Sequence, residues 1–215
     1  MKPVFLVTAG PTREYLDPVR FLSNPSTGKM GYAIARAARA RGSKVILVSG
    51  PVSLGPPKGV RTIHVESSEE MRKAVMRAIK DASIVIMSAA VADYRPHRRL
   101  SRKMKKGACR IDLPMVRTRD ILAELGWKRG NRILVGFAAE TGKPEREARR
   151  KLEEKNLDLI VANDVSRRDS GFASDYNRAV IIGRAGKVTR FPRMRKDFLA
   201  KVIVQRCLDL YTSAV

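Results

Sequence analysis

Apolar positions along this 215-residue chain come in short unbroken runs, and between them lie stretches with helical spacing. "PVFLVTAG" (3–10), "SKVILVSG" (43–50), "ASIVIMSAA" (82–90), "RILVGFAAET" (132–141) and "LIVAND" (159–164) read as strands buried on both faces. "VRTIHVE" (60–66) is a further strand. Between these runs, "GKMGYAIARAARARG" predicts a helix stopping at Gly42, and "SSEEMRKAVMRAIKD" one opened by Ser67 or Ser68 with acids in its first turn. "RDILAELGWKRG" and "KPEREARRKLEEKNLD" predict two more, and "RKDFLAKVIVQRCLDLY" a last amphipathic one. Strands alternating with helices predict an α/β fold, a mostly parallel sheet with helices on both faces. Ligands of such sheets bind at the carboxyl ends of the strands, here "TAG" (8–10), "SG" (49–50) and "SAAVADY" (88–94).

Three segments depart from the alternation. "PTREYLDPVRFLSNPST" (11–27) reads as a long polar linker. "RPHRRLSRKMKKGACR" (95–110) reads as an exposed arm, followed by a strand in "ACRIDLPMV" (108–116). "RAVIIGRAGKVTRFP" (178–192) predicts a hairpin turning at Ala185-Gly186. The length suits one domain over residues 1–215. No run approaches the roughly 18 apolar residues of a membrane span, and the first apolar stretch is too short for a signal peptide. A soluble cytoplasmic protein with no membrane partner is therefore expected.

Charge narrows the partners to anions. Lys and Arg number 44 against 21 acids, a formal charge of +23. This balance does not choose among nucleotides, phosphorylated metabolites, nucleic acid and acidic surfaces. Two cysteines, Cys109 and Cys207, make neither a disulfide framework nor a metal cluster.

"SNPSTGKMG" (23–31) looks like a phosphate cradle, yet the P-loop pattern would need Gly at Ser23 and Ser or Thr at Met30. The dinucleotide fingerprint is missing after the first strand, where Gly10 is followed by Pro11-Thr12-Arg13. No Tyr has a Lys four residues on. These absences argue against an NTPase of the P-loop type and a nicotinamide oxidoreductase. The remaining inventory of Asn, Asp, Lys, Phe and backbone amides suits neutralising and positioning phosphates while the substrates supply the nucleophiles. Ser26, Thr27 and Gly28 could face an anion at a helix start or form an ordinary cap. Residues 95–107 hold seven Arg or Lys and no acid; they are either a solvated loop or a segment mobile until an anion neutralises it. Lys151 and Lys155 lie one turn apart on one helix face, with Glu147 placed to pair with Lys151.

In order, "VTAGPTREYLDPVRFLSNPSTGKMG", "AAVADYRP", "KMKK", "VGFAAET", "KNLDLIVANDV" and "GFASDYN" resemble the blocks of the phosphopantothenate–cysteine ligases of coenzyme A biosynthesis, over nearly the whole chain. The resemblance implies a Rossmann-like domain with a basic flap and a small dimerisation region. It implies ligation of phosphopantothenate with L-cysteine in two steps. The substrate carboxylate attacks the α-phosphate of CTP, or ATP, releasing pyrophosphate, and the cysteine amine then displaces the nucleotide. Magnesium is implied, and a flavin is not, since nothing here resembles the decarboxylase to which the ligase is often fused.

By the same resemblance, Asn24 contacts the acyl intermediate and Asp93 lies at the nucleotide near the cation, as a candidate metal ligand. Ser88 and Ala89 line the nucleotide, and Phe137 meets its base. Lys103 reaches the triphosphate from a flap that includes Lys105 and Lys106, and Lys151 and Lys155 meet the nucleotide. Gly10, Ser26, Thr27 and Gly28 form a phosphate or substrate loop. The nucleotide loop Arg119-Asp120-Ile121-Leu122 has Arg119 where the family carries proline, which alters its backbone freedom and charge. A homodimer is implied, built from the region around 95–117 and the hairpin at 175–192. The competing class is a nucleic-acid-binding protein, for which the charge speaks but no stacking platform or recognition helix does. An inactive nucleotide-binding relative is the third possibility.

Overall fold

Twelve residues between Lys29 and Ala40 show how this chain builds its layers. In this helix Met30, Tyr32, Ala33, Ile34, Ala35 and Ala38 are buried, while Arg36, Arg39 and Ala40 stay outside. The computed structural model describes residues 2–107, 110–140, 144–164 and 173–214. In chain order its elements are β1 (Val4–Ala9), β2 (Arg13–Tyr15), β3 (Phe21–Ser23), α1 (Lys29–Ala40), β4 (Lys44–Ser49), β5 (Arg61–His64), α2 (Ser68–Ala78), β6 (Ile84–Met87), β7 (Tyr94–Pro96), β8 (Met115–Arg117), α3 (Ile121–Trp127), β9 (Ile133–Glu140), α4 (Pro144–Glu154), β10 (Leu159–Asp164), β11 (Tyr176–Gly183), β12 (Val188–Arg195) and α5 (Lys196–Ala214).

The main sheet runs β12-β11-β10-β9-β6-β1-β4-β5. Its strands from β10 through β5 are parallel, and the β11–β12 hairpin closes one edge antiparallel. Period-two alternation divides the core. Phe5, Val7, Leu47, Ile86, Val135 and Val161 face α1 and α5. Leu6, Ile46, Val85, Leu134 and Ile160 face α2, α3 and α4. The result is a helix–sheet–helix sandwich with a Rossmann-like order, as expected. The chain leaves β1 toward β4 and β5 and then returns to the other side of β1 as β6, so the strand order reverses at β1 and β6. A crevice opens at such a reversal.

Several expectations hold in detail. Ser67 is the cap of α2, accepting a hydrogen bond from the Glu70 amide at 3.2 Å. The hairpin turns where Gly186 adopts a φ of 81°. Two expectations need correction. The supposed linker at 11–27 contains the β2–β3 hairpin, whose strands are too short to leave an alternating signal. In "ACRIDLPMV", only residues from Met115 onward are in a strand. Pro114 has no amide to donate to a ladder, while Ala108 and Cys109 lie outside the described residues. No helix among the described residues is long and apolar enough to cross a membrane.

Candidate active site

The crevice at the strand reversal is a cleft of about 800 Å³ along the carboxyl edge of the sheet. Its floor is made by two loops zipped together. The Thr8 carbonyl accepts from Ser88 Oγ at 2.5 Å, and Thr8 Oγ1 accepts from the Ala89 amide at 3.1 Å. Thr12 Oγ1 accepts from the Ala92 amide at 3.0 Å, and the Gly10 carbonyl from the Ala90 amide at 2.9 Å. Thr8 and Thr12 are fully buried. Their hydroxyls fix the backbone of 88–92 as a rigid lining rather than a mobile loop.

Asn24 completes this floor. Its Nδ2 donates to the Ala90 carbonyl at 3.1 Å and the Val91 carbonyl at 3.2 Å. Both amide hydrogens are thereby used, and Oδ1 is the atom available to a ligand. Gly28, at the start of α1, has a φ of 75°, and a Cβ there would meet Val52 Cγ1 at 2.8 Å. Any side chain there would be strained. At Gly31 a Cβ would approach the Thr8 carbonyl and Ser88 Oγ to 2.8 Å, so α1 sits hard against the reversal point.

One end of the cleft is built on α3 and α4. Asp120 caps α3, accepting from the Ala123 amide at 2.9 Å, and pairs with Lys155 Nζ at 2.8 Å. Burial alone would raise its carboxyl pKa, but hydrogen bonds from Lys155 and the Ala123 amide, with the Lys155 charge, hold it below the usual value. Lys151 Nζ pairs with Glu140 at 2.5 Å. Thr118 anchors this loop through Oγ1 to the Ala92 carbonyl at 2.6 Å. Phe137, half-buried on β9, also lines the cleft. Among the described residues no three of His, Cys, Asp and Glu form a metal cage. Asp93 is a single exposed carboxylate on the cleft wall. That suits Mg²⁺, which keeps its waters and leans on substrate phosphates.

Over residues 2–210 the chain matches the family described as "DNA/pantothenate metabolism flavoprotein C-terminal domain". The chain belongs to this family. It is 53% identical over 206 residues to the coenzyme A biosynthesis bifunctional protein CoaBC of Bacillus subtilis (strain 168), covering 95% of this chain and 51% of that protein. The crystal structure of the C-terminal domain of a CoaBC protein has a TM-score of 0.84 at 40% identity, covering 99% of each chain. A Cab2 variant in complex with phosphopantothenate-cysteine shares the fold with a TM-score of 0.75 at 16% identity, covering 99% of this chain and 87% of that one. The chain spans about half the length of the curated relatives it matches.

In this DNA/pantothenate metabolism flavoprotein C-terminal domain, one cleft gathers Asn24, Ser26, Gly28, Ser88, Ala89, Asp93, Phe137, Lys151, Lys155 and all four residues of the 119–122 loop. Gly10 and Thr27 fall outside the lining. Gly10 packs under Val52 beside Gly28 instead, with a φ of 75°. Lys103, Lys105 and Lys106 are exposed on the arm and do not line the cleft.

The expected pair of Glu147 with Lys151 does not form. Glu147 bonds Arg150 at 3.1 Å, and Lys151 turns to the sheet edge. The arm is also better anchored than its charge suggested. Buried Asp17 accepts from the Met104 amide at 3.1 Å, the Leu100 amide donates to the Leu16 carbonyl at 2.8 Å, and the Arg99 guanidinium lies 4.7 Å from the Tyr15 ring centre. Burial acts to raise the Asp17 pKa, but amides of Val19, Met104 and Arg20 and the Arg20 charge lower it. The reading by composition missed this tether because its acid lies 87 residues from its partner. It also missed Thr8, Thr12, Asn163, Asn177 and Lys196, whose place at the cleft depends on tertiary contacts.

Proposed function

We propose that residues 1–215 form a phosphopantothenate–cysteine ligase domain that acts in coenzyme A biosynthesis, with CTP as co-substrate and ATP as the alternative. The observation that carries this reading is one cleft holding Asn24, Asp93, Asp120, Phe137, Lys151 and Lys155 in a chain that aligns end to end with a CoaBC C-terminal domain. The ligand in the Cab2 complex, phosphopantothenate-cysteine, is the product expected of such a ligase.

In the first step the phosphopantothenate carboxylate attacks the α-phosphorus, the bond to the β-phosphate oxygen breaks, and pyrophosphate leaves. Lys151 and Lys155 exchange their carboxylate partners for phosphate oxygens, and Arg119 adds charge at the same end. Both lysines are held close to the cleft by ion pairs before the nucleotide arrives, so little side-chain freedom is lost on binding. Phe137 offers its face to the base, and the fixed 88–91 backbone lines the nucleotide. Asp93 would hold Mg²⁺ with the triphosphate, and the ion bound there supplies neutralisation of the phosphate charge. In the second step the cysteine amine attacks the acyl carbon of the acyl-cytidylate, the acyl–oxygen bond breaks, the amine loses a proton and CMP leaves. Asn24 Oδ1 would accept a hydrogen bond from the attacking amine, while its Nδ2 keeps the loop in register.

The same reading takes the protein as a homodimer. Val19, Phe21, Leu22, Tyr94, Ile111 and Leu113 are exposed on the adjoining β2–β3 and β7–β8 sheets and the segment leading into them. An apolar patch of this kind fits a second copy, and would bring a partner's arm lysines, Lys103 among them, toward the cleft.

The test is pyrophosphate release with magnesium and phosphopantothenate, from CTP and separately ATP, with and without cysteine. Cysteine-dependent amide and a trapped acyl-nucleotide in its absence are expected. No release with either nucleotide from folded protein would overturn the reading.

A further inference from the structure

The edge of the sheet opposite the cleft carries cations without acids. From Pro18 to Val65 the chain contains no Asp or Glu. Within that span α1 leads away from the cleft and ends at the amino edge of the sheet, where β4 and β5 begin. Arg36, Arg39 and Arg41 are exposed along the end of α1, and exposed Lys44 opens β4. Exposed Lys58 and Arg61 lead into β5, and exposed Lys2 precedes β1. Contacts through space join these segments into one surface. The Lys2 ammonium lies against Gly42, and the Arg39 guanidinium lies against Gly59. Arg61 pairs in register with Ile46, two residues beyond Lys44.

These seven cations make no ion pair or side-chain hydrogen bond among the described residues. On other elements the charges intermix, as where Arg72 meets Glu69 and Glu124, or Arg150 meets Glu147 and Glu154. The acids on the elements packed around the patch are few. Asp81 follows α2 on the other helical layer, and Asp209 on α5 accepts from Gln205 at 2.8 Å. The carbonyl end of α1 offsets about half a charge. The excess repels itself until an anion covers it. Its layout says which anion. The cations are spread over α1, β4 and β5, and none of them lines the cleft, so they suit an extended polyanion better than one small ion. Among the described residues no exposed large apolar side chain falls between Leu22 and Tyr94. This face therefore has none to insert into a bilayer or to stack on a base, and it supports phosphate contact without base readout.

We propose that this face, built on Arg39, Arg41, Lys44 and Arg61, binds the phosphate backbone of a nucleic acid without sequence preference. Four of the seven cations are arginines, whose forked guanidinium meets phosphate oxygens in pairs. The face stands at the opposite edge of the sheet from the cleft, so polymer and nucleotide bind together rather than in competition. This binding does not depend on ligation activity.

The experiment measures fluorescence anisotropy of short labelled RNA and DNA duplexes of unrelated sequence, titrated with the full chain at several salt concentrations. With about six phosphates engaged, log affinity should fall against log salt with a slope of about −5, a roughly 10³-fold loss between about 50 and 200 mM. Combining Arg39→Gln, Arg41→Gln, Lys44→Gln and Arg61→Gln should make the slope shallower by about 3 to 4. The same number of changes on α4 and the β11–β12 hairpin, Arg146→Gln, Arg149→Gln, Arg178→Gln and Lys187→Gln, should leave it unchanged. All eight side chains are exposed, so both variants should fold as the parent does. Binding to either polymer supports the proposal, and the tighter one names the source. An unchanged slope in the first variant, an equal change in both, or displacement of the duplex by CTP with magnesium at constant ionic strength would overturn it. Failure to bind either duplex at low salt would also overturn it, and binding to phosphatidylserine vesicles instead would reassign the face to a membrane.

Discussion

The lysines on the two sides of the cleft differ in burial. On the α3–α4 side, Lys151 and Lys155 are partly exposed and pair with Glu140 and Asp120 within 2.8 Å. On the α1–α5 side, Lys196 is 6% exposed, and burial with the charge of the neighbouring Lys29 lowers its ammonium pKa to about 8. Paired, partly exposed charges are close to neutral in stability, whereas the buried lysine makes the second side the more sensitive to pH.

Asn24 lines the same cleft, bonded to the 90–91 carbonyls, and the largest effect is expected there. Asn24→Asp would set a carboxylate against the carbonyls of Ala90 and Val91, which Nδ2 now satisfies. Amide formation should fall by about 100-fold, as expected for carbonyls left facing a like charge. Pyrophosphate release should fall less, and rapid-quench measurement of the two steps separates them. Equal loss in both steps would place Asn24 with the nucleotide end and break the division.

Lys155→Met should raise the nucleotide KM by roughly tenfold, the loss of one charge-assisted bond. The cysteine KM should stay unchanged in initial-rate measurements. If the cysteine KM moved as well, the ends would act as one site.

The smallest effect concerns stability. The Lys196 pKa lies near 8 in the fold, against 10.5 for an unburied lysine. Between these values the unfolded chain binds more protons, so stability rises with pH through this window. The cost is present in full below about pH 8 and fades toward pH 10.5. The melting temperature of Lys196→Met should therefore climb less between pH 8 and pH 10 than that of the unaltered protein, by about 3 °C, the shift that roughly 1 kcal/mol brings in a chain of this size. Calorimetry at both pH values checks it, and an equal climb in the two proteins would show that this lysine does not carry the pH dependence.

The layered fold was legible because both faces of the sheet are covered. Strands such as β1 and β4 therefore carry unbroken apolar runs, and the helices between them carry one apolar stripe each. The β2–β3 hairpin was not legible, since three-residue strands leave too short a pattern. Within the site, residues on strand ends and helix starts were readable from their blocks. Asp17 and Lys196 were not. Each owes its character to burial and to partners far along the chain, which no local pattern records.

The sequence by itself determined the element order, the parallel sheet and the family, because these follow from periodicity and from residues close together along the chain. Tertiary structure alone decided which acids Lys151 and Lys155 meet, that Asn24 spends its donors on the 90–91 carbonyls, and that Lys196 is buried. The physical reason is that electrostatic and hydrogen-bond energies depend on distance through space and on burial. Both are fixed only when the two faces of the sheet have closed around the same edge.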